Sequence, residues 1–241
     1  MENMNKSSRR LSSPQSERIS SPTLQLWMEI FSAKISESER LLTDLDAAIG
    51  DGDHGTNMRR GMTAVLGRLN ELAFDSPSGQ FRIISTAMMS SVGGASGPLY
   101  GAFFLQSSNA ALNKGDWGLH DFTSAMQAGL RGVMQLGKAA VGDKTMVDSL
   151  TAAIESLHAS CERHDALPDA FESCRQATHL AAEATTPMIA RKGRASYLGD
   201  RSAGVQDPGA TSASLLFDSL AQAVHESQPR SKRKTRKVAL L

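Results

Sequence analysis

The sequence predicts an all-α fold, a barrel or bundle of about eight antiparallel helices. Three observations carry that expectation. Apolar residues recur at three- and four-residue spacing through most of the chain. No segment shows the strict alternation that a half-buried strand requires. Short stretches rich in glycine, proline or polar residues separate the helical segments, and short connections make consecutive helices antiparallel neighbours.

The first helix is expected to open at Ser21 and Pro22, with serine as the cap and proline at the first helical position. Leu24, Trp27, Ile30, Phe31 and Ile35 form its apolar stripe. Leu41, Leu42 and Leu45 mark a second segment, which runs into the glycine-rich stretch "IGDGDHG" at residues 49–55. Met58, Met62, Val65, Leu66, Leu69 and Leu72 mark the third; Phe81, Ile84 and Met88 mark the fourth. The fifth carries Leu99, Phe103 and Ala110, and the sixth Phe122, Ala125, Val133 and Leu136. Val147, Leu150, Ile154 and Leu157 form the seventh stripe. The eighth, opened by Pro168, has Phe171, Cys174, Thr178 and Ala181, and Leu215, Leu216 and Leu220 lie in the last. Residues 192–209 are the longest gap in the pattern, and a loop of that length in a compact helical domain is usually functional or disordered.

A chain of 241 residues suffices for one large domain or two small ones. The organisation expected is a disordered tail over residues 1–21, a helical domain over 22–226 and a basic disordered tail over 227–241. The net charge is +1, but residues 229–237 hold six basic side chains and no acid, and removing those six leaves −5 for the rest. A mildly acidic body argues against nucleic acid as a ligand of the domain. Cys161 and Cys174 form no disulfide framework or CxxC pair, which fits a reducing cytoplasm. No apolar run approaches the ~20 residues that span a bilayer, so no membrane association is expected.

Four stretches carry chemistry-bearing residues. Asp46, Asp51 and Asp53 stand at i, i+5 and i+7, and the glycines at 50 and 52 let the chain leave the helix and turn the middle carboxylate back toward the others. Three converging carboxylates repel unless a cation neutralises them, and an all-oxygen set suits Mg²⁺ or Ca²⁺ better than Zn²⁺. The spacing alone fits an acidic loop with capping aspartates equally well. Gly93, Gly94 and Gly97 surround Ser96 ahead of Pro98: a glycine turn entering a helix offers amides to a phosphate, or else close packing of helices through small residues. Asp143, Lys144 and Thr145 stand at an expected helix start, where a capped N-terminus is the structural reading. The long loop adds Arg191, Lys192, Arg194 and Arg201, with Asp207, Pro208 and Gly209 as an expected rigid turn. His54 could meet a phosphate or a carboxylate, or serve structure alone.

Together, "LTDLDAAIGDGDHGTNMRRG", "SSVGGASGPLYG", "GDKTM" and "ARKGRASYLGDRSAGVQDPGATS" resemble the L subunits of dihydroxyacetone kinases, in the same order and over residues 24–223. The resemblance implies an eight-helix barrel with a nucleotide and two Mg²⁺ ions at one end. It implies Asp46, Asp51 and Asp53 as metal ligands. It implies His54, Gly55, Thr56, Asn57, Ala95, Ser96, Gly137, Met146, Arg194, Asp207, Pro208 and Gly209 around ADP or ATP, with Arg194 on the phosphate side as the catalytic residue. It also implies a separate K subunit that carries dihydroxyacetone and a phosphohistidine M subunit of the phosphotransferase system that recharges ADP, although fused relatives exchange free ATP instead. A kinase for a four-carbon keto sugar or polyol is the alternative with the same chemistry. A nucleotide-sensing regulator of a transcription factor is the alternative of a different class, and a second copy of the chain is a further candidate partner.

Overall fold

The computed structural model describes residues 18–73, 76–111 and 115–228. Among the described residues are nine α-helices: α1 (Ser21–Glu37), α2 (Glu39–Ile49), α3 (His54–Glu71), α4 (Pro77–Ser91), α5 (Ser96–Ala110), α6 (Leu119–Gly137), α7 (Met146–Glu162), α8 (Leu167–Ala184) and α9 (Pro208–Ser227). A 3-10 helix, Arg194–Ser202, lies inside the stretch where the sequence shows no helical pattern. The described residues contain no strand; the nearest approach is a single antiparallel bridge between Ile19 and Trp117.

Each helix from α3 to α9 packs on the next in sequence, and α1 closes the ring between α9 and α3. Eight helices thus form the barrel, and the short α2 leans on α3 from outside the ring. Trp27 of α1 sits at the centre of the core, with ring centroids 5.9–6.2 Å from Phe81, Phe104 and Phe122. Its indole N–H donates to the Leu216 carbonyl of α9 at 2.7 Å. A fully buried side chain of this kind contributes roughly 2–3 kcal/mol through burial, and each edge-on ring pair roughly 0.5–1.5 kcal/mol more.

Several local expectations shift. Ser20, not Ser21, is the cap of α1: it is extended (φ −97°, ψ 165°), and its carbonyl accepts from the Leu24 amide. Ile19 is fully buried, so the folded part begins before residue 21. Leu41, Leu72 and Leu136 are about half exposed and Ala110 is exposed, while Ile49, Leu130, Tyr100 and Phe104 take the buried places in α2, α6 and α5. In the last turns of α8 the buried place falls to Ala182, one position after Ala181. Asp207, Pro208 and Gly209 are the cap and first residues of α9 rather than a separate turn, because the Asp207 carboxylate accepts the Ala210 amide at 2.7 Å. The expected basic tail, apart from Ser227 and Gln228, and residues 1–17 lie outside the described residues.

Candidate functional site

An up-and-down ring places the N-termini of alternate helices at the same end. Here α3, α5, α7 and α9 begin with His54, Ser96, Met146 and Pro208, and all four residues line one cleft of about 170 Å³. Four positive helix ends facing one space favour an anion. The C-terminal turn of α2 enters the same cleft with Asp46 and Ile49, and its negative end favours a cation.

The aspartates meet as the spacing predicted. One carboxylate oxygen each from Asp46, Asp51 and Asp53 lie within 4.8 Å of one another. Gly52 makes this turn with φ +73°, a conformation that side chains rarely adopt. Asp46 also accepts the Asp53 and His54 amides at 2.9 and 3.2 Å, so a carboxylate of α2 caps α3. Arg194 reaches Asp51 at 2.8 Å. The donor set is wholly carboxylate, partly open to solvent and adjoined by helix N-termini. This fits Mg²⁺, which shares its coordination sphere with water and phosphate oxygens.

The His54 ring meets hydroxyls rather than a carboxylate. Its Nδ1 is 3.0 Å from Ser96 Oγ and its Nε2 is 2.9 Å from Ser212 Oγ, which also lies 2.9 Å from the Tyr100 hydroxyl. Hydroxyls serve either tautomer. Burial pulls the imidazole below its ordinary pKa, against the attraction of Asp46 and Asp53, so the ring is held neutral.

Beside the polar cleft lies an apolar one of about 260 Å³, walled by Pro98, Leu99, Val133, Leu136, Gly137 and Met146 among others. Ala95, Leu99, Thr145 and Met146 line both, so the two spaces adjoin. Of the residues singled out in the sequence, the polar cleft gathers His54, Ala95, Ser96, Met146, Arg194, Asp207, Pro208 and Gly209 with the three aspartates. Gly137 lines only the apolar cleft. Gly55, Thr56 and Asn57 line neither. Gly55 packs beneath α2 against the Glu39 carbonyl, Thr56 is exposed, and Asn57 is buried beside Gly93 and accepts from Arg60.

Sequence reasoning missed three supports. Ser212 and Tyr100 extend the His54 contact into the core; both lie inside quoted motifs, but nothing in the motifs singled them out. Lys144 was read only as part of a helix start, yet it is buried with its ammonium on backbone carbonyls of the long loop. A lysine between a cap and a glycine turn carries no signal that it faces inward. The capping pattern was legible: Thr145 accepts the Val147 amide at 3.1 Å, and Asp148 accepts the Thr145 amide at 2.8 Å.

A family model described as the DAK2 domain matches residues 48–222. The chain is 43% identical over 198 residues to the ADP-binding subunit DhaL of the PEP-dependent dihydroxyacetone kinase of Escherichia coli (strain K12), covering 82% of this chain and 92% of that one. It is 40% identical over 198 residues to the ADP-binding subunit DhaL of the PTS-dependent dihydroxyacetone kinase of Lactococcus lactis, covering 82% and 95%. Among solved structures it is similar to the dihydroxyacetone kinase of C. freundii in complex with AMP-PNP and Mg²⁺, with a TM-score of 0.66 and 25% identity. That match covers 92% of this chain but only 38% of the longer one.

Proposed function

The chain belongs to the DAK2 domain family, and from that premise we propose that it is the nucleotide-holding subunit of a dihydroxyacetone kinase. ADP or ATP is held with two Mg²⁺ ions, and the phosphoryl group passes to dihydroxyacetone on a separate K subunit. A phosphohistidine M subunit of the phosphotransferase system recharges the ADP in place, and the assembly works in the cytoplasm. The observation that carries the reading is the meeting of three carboxylates, four helix N-termini and Arg194 at one cleft. The ADP-binding subunits to which the chain is similar support it, as does the structural neighbour that binds AMP-PNP and Mg²⁺. The names of the two bacterial relatives favour dihydroxyacetone over a four-carbon acceptor, and a kinase subunit over a regulator of transcription.

The residues divide the work by chemistry. The apolar cleft, with Leu99 and Met146 as its joint walls with the polar one, suits the base. Gly209, whose added Cβ would stand 3.5 Å from the Met146 amide, brings the start of α9 against that wall. Ser96 and the first amides of α5 suit the phosphates. Asp46, Asp51 and Asp53 would hold the metal, which supplies positive charge to the phosphate oxygens when bound. Arg194, two-thirds exposed and 2.8 Å from Asp51, can meet the charge on the transferred group where a partner subunit approaches. Catalysis by such a site is mainly positioning and charge stabilisation, and it requires no nucleophile on this chain.

Native mass spectrometry of the purified protein is expected to find bound ADP. Phosphoenolpyruvate-driven phosphorylation of dihydroxyacetone is expected only when K and M subunits are added. Absence of Mg²⁺-dependent ADP binding by calorimetry, or robust turnover by the isolated chain, would refute the reading.

A further inference from the structure

One buried side chain gathers four carbonyls of the loop that carries Arg194, beside the small apolar cluster of Ile49, Ala190 and Ala195. Lys144, 1% exposed, stands just before α7. Its Nζ donates to the carbonyls of Val205 at 2.6 Å, Ser202 at 2.7 Å and Met188 at 3.0 Å, with Thr186 at 3.4 Å. All four carbonyls belong to the α8–α9 connection, two on each side of Arg194. An ammonium has three N–H donors, so these acceptors saturate it. Burying a charge is costly unless hydrogen bonds compensate it, and here backbone dipoles do so. The Lys144 backbone is left-handed (φ 61°), a conformation of raised energy for a side chain of this kind.

The lysine itself stands on a firm base. Asp148 accepts the Gly142 amide at 2.6 Å and the Thr145 amide at 2.8 Å, which fixes the turn that presents Lys144. The Arg191 amide donates to the Asp143 carbonyl at 3.0 Å, and the Gly204 amide to the Thr186 carbonyl at 2.8 Å, so the limbs of the loop close on each other and on this turn. The half-exposed ion pair between Arg194 and Asp51 contributes little by itself and does not hold a loop of this length.

We propose that Lys144 is a positioning residue for phosphoryl transfer: it draws both limbs of the α8–α9 connection onto the start of α7 and so sets where Arg194 meets the aspartate cluster. The proposal rests on the functional reading above. Lys144→Met keeps an unbranched side chain as far as Cε and removes the donors. In the reconstituted kinase, kcat is expected to fall about tenfold or more while KM for dihydroxyacetone and Mg²⁺-ADP affinity stay within about threefold. The loss is expected to vanish in an Arg194→Ala background, because both changes act on one group. Hydrogen exchange at the Arg191 and Gly204 amides is expected to quicken. A kcat within about twofold of the parent, or an undiminished loss in the Arg194→Ala background, overturns the proposal. If circular dichroism shows Lys144→Met unfolded, Lys144→Gln, which retains two N–H donors, is judged by the same criteria. If the parent protein takes up no Mg²⁺-ADP, the functional reading fails separately, and unchanged exchange at those two amides would then overturn the clamp itself.

Discussion

Asp46 serves two neighbours at once: it belongs to the carboxylate cluster, and it caps α3 through the Asp53 and His54 amides. Asp53, by contrast, is the N-cap residue of α3 through its carbonyl, and its side chain makes no capping hydrogen bond. Asp53→Ala is therefore expected to lower Mg²⁺-dependent ADP affinity at least tenfold, roughly the loss seen when even outer supports of a metal site are removed. The melting temperature of the metal-free protein should not fall, because one of three like charges leaves. Calorimetry with and without Mg²⁺, beside a thermal scan in chelator, measures both. Asp207 supplies a pH-dependent counterpart. Burial pushes its carboxyl up to about 7, with the charges of Asp148 and Asp46 adding and the Ala210 amide and Lys144 opposing. Between the ordinary carboxylate range and about 7, the folded protein keeps a proton that the unfolded chain has lost, so its stability falls as pH rises through that window. Asp207→Asn has no such proton, and its amide oxygen still accepts from Ala210. The melting temperature of the variant minus that of the parent should rise from pH 5 to pH 8 in chelator. A constant difference would show that this carboxyl titrates normally.

At the scale of elements, helix junctions set the site. The turn between α4 and α5 is tight: a Cβ on Gly97 would run into the Val92 carbonyl, with the Met88 carbonyl 3.2 Å away. Gly97→Ala must therefore displace the start of α5, at a cost of roughly 1–3 kcal/mol for overpacking. A melting temperature lowered by several degrees, with weakened ADP binding because Ser96 moves with α5, is the expected outcome. An unchanged melting temperature would mean that the junction has slack the geometry does not show. This junction was visible in the sequence as clustered glycines, but close packing and phosphate binding read alike there. The structure joins the two: the small residues let the helices approach, and that approach brings the N-terminus of α5 to the cleft. The stripes were legible in the same partial way. Periodicity identified the three- and four-residue rhythm of buried positions in α1, α4 and α7, yet it misassigned Leu41, Leu136 and Ala110. A helix face wider than its contact leaves its edge residues in water.

For the whole molecule, the closing contact is that of α1 with α9 and α3, and Trp27 is its centre. Trp27→Ala removes one of the two buried tryptophans, its ring contacts and the indole bond to Leu216. The expected cost is roughly 3–5 kcal/mol, read as a lower denaturant midpoint. Trp27 lines neither cleft, so ADP affinity should be retained well below the melting temperature. Loss of both together would show that the ring and the site unfold as one unit with no margin between them.

Local sequence determined the helical class, the aspartate turn, the glycine-bearing entry to α5 and the cap of α7, because each depends on backbone geometry and side chains within a few residues of one another. Motif order, through resemblance to a family, indicated what the separated stretches hold in common. Tertiary structure decided the rest. Only ring closure brings four alternate helix N-termini to one end, only packing turns Ser212 and Tyr100 toward His54, and only the path of the α8–α9 connection surrounds Lys144 with carbonyls. These partners lie between about forty and one hundred and sixty residues apart along the chain, where neither periodicity nor propensity carries information and where packing alone selects the neighbour.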